Sequence, residues 1–83
     1  MRNYENLSVS NLLIEAVKEI NDVPSGQVFK VKDLFKGYDW NNFPISVRLT
    51  LGSIFLEEAK TGLKDVVEIL NKNSSNQQLY KKK

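Results

Sequence analysis

The run PISVRLTLGSIFLEEAKTGLKDVVEILNKNSSNQQLY, residues 44–80, decides the fold. From about Pro44 to Lys60 its apolar residues recur at helical spacing. At about 100° per residue, Val47, Leu51, Ile54, Phe55 and Ala59 share one arc, which Ile45, Leu49 and Leu56 widen. The spacing predicts a mostly buried helix with one remaining stripe, Ser46, Thr50, Ser53, Glu57 and Lys60. Through Gly62 the chain then passes into two strand-like segments, 66–70 and 78–80, joined by the polar run 71–77. A helix followed by a β-hairpin with a polar, lysine-bearing tip forms the back half of a winged helix-turn-helix.

Upstream residues supply the front half. Ser8 and Ser10 are both good N-caps, and Val9, Leu12, Leu13, Ala16, Val17 and Ile20 predict a first helix over about 9–21. Pro24-Ser25-Gly26 breaks it. The alternating segment 27–31 predicts a short strand that joins the hairpin, and 32–36 fits one or two helical turns ended by Gly37. Residues 38–43 read as a connection anchored by Trp40. The expected class is α+β, with the order helix, strand, short helix, long helix, hairpin wing. One domain is expected over residues 1–83, with a short flexible start at about 1–7 and a basic tail at about 81–83.

Composition narrows the chemistry. With no Cys and no His, thiolate zinc sites, Cys nucleophiles and the usual general base are all excluded. Glu57 and Glu58 point to different helix faces, so no catalytic pair is expected; no metal site or cofactor is expected either. No apolar run approaches the roughly 20 residues of a membrane span, and the polar start does not resemble a signal peptide, so a cytoplasmic location is expected. The net charge is only +2, but residues 60–83 hold six lysines against Asp65 and Glu68. Positive charge gathered at one end steers a polyanion there.

These features point to double-stranded DNA as partner. Ser46, Thr50 and Ser53 can donate to phosphates or base edges, and Asn41 and Asn42 lie just ahead of the helix. Lys60, Lys72 and Lys81 would meet phosphates, while Asn73, Asn76 and Gln77 at the tip would reach the backbone or a minor groove. A solvated helix face and an ordinary hairpin loop would look the same. Arg48 lies within the apolar arc, where it either pairs with Asp33, Asp39 or Glu58 or reaches out to a phosphate. Gly52, costly in mid-helix, is expected at a close helix crossing. Trp40 and Tyr38 are expected in the core, and Lys82 and Lys83 read as a solubilising tail.

The run 29–40, followed by Pro44, Arg48, Leu51-Gly52, Phe55, Asn76-Gln77-Gln78 and Tyr80-Lys81, resembles a family of small, uncharacterised single-domain proteins. That family comes from Gram-positive bacteria, their phages and mobile elements. The resemblance spans roughly residues 23–82 and implies a prokaryotic or mobile-element setting, with no activity to carry over. The sequence therefore supports a winged-helix DNA-binding regulator or accessory factor, expected as a homodimer because one wing and one short helix offer little area. A protein-interaction adaptor or phage-encoded inhibitor on the same scaffold is the alternative. A weaker third option is single-strand or RNA binding by stacking on Tyr38 and Tyr80.

Overall fold

Ser8 Oγ accepts the amide of Asn11 at 3.3 Å and so opens α1, Val9–Ile20, in the computed structural model, which describes residues 4–83. Leu12, Ala16 and Ile20 form its buried row. At the turn that follows, Gly26 takes φ +88°, where a side chain would be strained, and its amide donates to the Lys82 carbonyl at 2.7 Å.

The strand β1 covers only Val28–Phe29. It stops short of residue 31 because the Lys30 amide turns to the Asp33 carboxylate at 2.9 Å, and a 3₁₀ turn, Val31–Leu34, begins there. Gly37 does not end a helix as expected. It opens α2, Gly37–Asn42, across residues that read as a connection in sequence. Six residues make fewer than two turns, too few for an apolar period to show.

Pro44 caps α3, Ile45–Lys60, and its carbonyl accepts the Arg48 amide at 3.1 Å. Leu51, Phe55 and Ala59 are fully covered by α1 and the sheet. The expected arc is too wide: Ile45 and Leu49, on its edge in the first turns, stay 68% and 69% exposed. Gly52 marks no helix crossing, since a Cβ placed there would find nothing within 4 Å.

The hairpin forms as expected from β2, Val67–Lys72, and β3, Gln78–Lys82, and the strands lie in the antiparallel order β1-β3-β2. The middle strand delivers Tyr80 into the core, where its ring stacks on Phe29 at 5.8 Å and meets Phe55 edge-on at 5.0 Å. Pairing is irregular between Ile69 and Lys72. Ile69 opposes Tyr80 and Lys72 opposes Gln78, so three steps on β2 match two on β3. The Gln78 side-chain amide fills the gap by donating to the carbonyls of Leu70 and Leu79. Without the bulge Asn71 would oppose Gln78, and Lys72 would turn to the outer face.

The described residues form an α+β fold of three α-helices and a three-stranded sheet. Among the described residues, no helix is long and apolar enough to cross a membrane. Both ends make contacts where the structure describes them; residues 1–3 of the expected flexible start lie outside the described residues. Tyr4 and Leu7 pack against the core, and the Tyr4 hydroxyl donates to Asp39 at 2.6 Å. At the other end Lys82 belongs to β3, and its ammonium donates to the carbonyls of Ile20 and Val23 at 2.9 and 3.1 Å. It is a cap on the C-terminal end of α1. Lys83 is also held, its ammonium on the Lys64 carbonyl at 2.7 Å.

Replacing Lys82 with Met keeps the aliphatic stem and removes the cap. We expect a loss of about 1–2 kcal/mol, read as a drop of roughly 4–15 °C in thermal melting, while Lys81→Met changes little. Equal effects at the two positions would remove the capping role.

Candidate functional site

The bulge and the half-covered face of α3 together shape an open cleft. Along one wall lie Arg48, Leu49, Gly52, Ser53 and Leu56 of α3; along the other, Lys72, Asn76, Gln77 and Gln78 of the hairpin. Lys30, Val31, Lys32 and Trp40 close one side, and Tyr80 forms part of the lining from the sheet. The space is about 430 Å³. A second hollow of about 540 Å³, lined by Lys32, Asp33, Phe35, Gly37, Trp40, Asn41, Arg48 and Gln77, adjoins it through the four residues they share.

Each cation reaches the cleft for a local reason. Lys72 comes to the Tyr80 side of the sheet through the bulge. Lys30 and Lys32 flank the start of the 3₁₀ turn, where Lys30 pairs with Asp33 at 3.3 Å. Of the two roles open to Arg48, the pair with Asp33, Asp39 or Glu58 does not form: its Nε donates to the Phe43 carbonyl at 3.0 Å, and no described acidic side chain lies within salt-bridge reach. A backbone carbonyl satisfies one donor of a half-buried guanidinium without cancelling its charge. Among the described residues, four cations thus line the two hollows beside one acid, Asp33.

Of the residues proposed from sequence, Ser53, Lys72, Asn76 and Gln77 line the cleft and Asn41 lines the adjoining hollow. Ser46 and Thr50 are exposed on α3 but line neither hollow. Asn42 is turned to its own helix, its side-chain amide on the Tyr38 carbonyl at 2.7 Å. Asn73 is a loop staple: its Oδ1 accepts the amides of Ser75 and Gln77 at 3.0 and 2.9 Å. Lys60 lies at the end of α3, 3.6 Å from Glu57, and Lys81 opposes Val28 and Glu68 on the sheet face away from Tyr80. Lys81 and Lys72 therefore lie on opposite faces of the sheet.

The aromatic expectations divide. Tyr38 is 62% exposed, with Lys36 over its ring, instead of buried. Trp40 is half-buried, packed on Phe35 and Phe43 with both centroids at 5.9 Å. Tyr80 is 1% exposed, so it offers no ring for a base to stack on, and of the two tyrosines named for stacking Tyr38 alone is exposed. Burial pushes its phenol up to about 12. Sequence reading missed Lys30 and Lys32, because their approach to Arg48 depends on the 3₁₀ turn, and it gave Gly52 to a helix crossing where the structure leaves an open face.

Among the described residues, no three potential metal ligands cluster. No curated protein and no solved structure matches the chain. A family model does match, over residues 14–82, and the chain belongs to that family, the domain of unknown function DUF1413.

Proposed function

We propose that the chain is a small winged-helix DNA-binding protein, a cytoplasmic transcriptional regulator or accessory factor of a bacterium or one of its mobile elements. The element order, the strand order β1-β3-β2 and the hairpin beside α3 all support the winged-helix reading. The observation that carries the function is the convergence of Lys30, Lys32, Arg48 and Lys72 on the space between α3 and the hairpin, with Asp33 the one acid beside them among the described residues. A phosphate backbone laid along that side gains these cations, and the exposed Ser46, Thr50 and Ser53 then face the bases. Two protomers on one site would supply the area that a single helix face lacks.

Fluorescence anisotropy on random duplex, at about 50 and 200 mM salt, tests the reading. Three or four phosphate contacts give a log-log slope of about −2.7 to −3.6, and affinity then falls roughly 40- to 150-fold over that range. Lys72→Ala should weaken binding to every sequence and reduce the slope by about one, whereas Thr50→Ala should matter only on a preferred site. A larger effect from Lys60→Ala or Lys81→Ala would mean that DNA lies on another face.

Exposed Ile45 and Leu49 favour a second reading, an adaptor that docks a protein partner on the first turns of α3. Absence of duplex binding at low salt would discard DNA and leave this one.

A further inference from the structure

The two adjoining hollows differ in character, and Arg48 stands at their junction. The cleft is lined by apolar Val31, Leu49 and Leu56. The other hollow is lined mainly by polar and charged groups: Lys32, Asp33, Asn41, Arg48 and Gln77. Trp40 lines both. Volumes of about 430 and 540 Å³ lie in the range of small-molecule sites, roughly 300–1,000 Å³, and exceed what an inorganic anion needs.

The charge is preset and uncancelled. Among the described residues, neither Lys32 nor Lys72 has an acidic partner within salt-bridge reach. Of the five donors of Arg48, the Phe43 carbonyl engages one, Nε, and orients the guanidinium. The remaining N–H groups are available as the fork that suits a phosphate. On the α3 wall, one turn beyond Arg48, the bare backbone at Gly52 leaves open space for a ligand to approach closely. A ligand that satisfies all of this has an anionic head, a flat apolar body and edges that hydrogen-bond to amides.

We propose that the cleft binds a nucleotide, with its phosphate held by Arg48 and Lys32, its base against Trp40, and Gln77 within reach of its polar edge. The phosphate ester can belong to a free nucleotide or to the end of a nucleic-acid strand. The site does not depend on duplex binding, so the anisotropy titration and the test below fail separately.

Trp40 is the single tryptophan of the chain and reports directly on the cleft. Its fluorescence should change saturably on titration with adenosine 5′-monophosphate, with calorimetry confirming the affinity. Adenosine and inorganic phosphate should each bind roughly tenfold or more weakly. A 5′-phosphorylated oligonucleotide that binds much more tightly than both the mononucleotide and its 5′-hydroxyl counterpart identifies a strand end as the source. Equal or weaker binding identifies the free nucleotide. Arg48→Met and Lys32→Met should each lower affinity about tenfold to a hundredfold, the range for one charged hydrogen bond. Gly52→Leu, which projects a side chain into the cleft, should block binding. Lys32 is exposed, so its replacement leaves the fold intact, as thermal melting will verify. No saturable signal at millimolar nucleotide, or unchanged affinity in the folded Lys32→Met and Gly52→Leu proteins, overturns the proposal.

Discussion

Phe55→Ala should unfold this protein or bring it close to unfolding. The ring is 0% exposed and meets Tyr80 edge-on at 5.0 Å, at the point where α3 joins the middle strand of the sheet. Truncating such a ring costs about 3–5 kcal/mol, from lost transfer energy and the cavity left behind. A domain of 83 residues has a total stability of roughly 4–12 kcal/mol. Where a folded population survives, its melting temperature should fall by about 15–30 °C. Leu49→Ala, on the same helix but 69% exposed, should stay within about 0.5 kcal/mol of wild type. Similar losses at the two positions would show that the buried row of α3 has been misplaced.

The second large effect is alkaline. Burial raises the Tyr80 phenol from its ordinary 10.0 to about 12, so the folded state holds this proton more tightly than the unfolded chain does. Below pH 10 the phenol is protonated in both states, and the full stability is present. As pH rises from 10 to about 12, the unfolded chain loses the proton first and is favoured, removing about 2–3 kcal/mol. Denaturant titrations at pH 8, 10 and about 12 should show this loss in the wild type, and Tyr80→Phe should lose correspondingly less. The two proteins differ in that one hydroxyl alone, so the difference isolates Tyr80. Parallel pH curves would place the phenol in water.

The sequence made some of this legible and concealed the rest for physical reasons. Twelve residues of α1 are long enough to display the Leu12–Ala16–Ile20 row, and Ser8 announces its start. The hairpin was visible because β-rich segments flank an uninterrupted polar run, and the third strand was found at Val28–Phe29, though only in part. Gly37 misled because a glycine after a charged turn reads as a stop, while here the backbone begins a helix too short to carry a pattern. Arg48 invited a carboxylate because charge attracts charge at sequence level; a carbonyl five residues back lay closer in space. Lys82 looked disposable because terminal lysines resemble one another, and only the β1-β3-β2 order carries it to the end of α1. Of the site, the hairpin residues Lys72, Asn76 and Gln77 could be read from the tip's composition. The opposing cations Lys30 and Lys32 could not, since some forty residues of chain separate them from that tip.

The irregular pairing at Ile69–Lys72 has a consequence for how the chain tolerates change in length. Removing one residue at position 70 or 71 restores two steps against two, and the ammonium two places beyond Ile69 still opposes Gln78. The same deletion within 78–82 has no such slack, because β3 is paired on both sides and would carry Tyr80 and Lys82 to the wrong face. Length variation among natural relatives should therefore concentrate in the outer strand of the hairpin and be excluded from the inner one. An alignment scored by residue identity alone would then place the cation one column out of register while its position in space stayed the same.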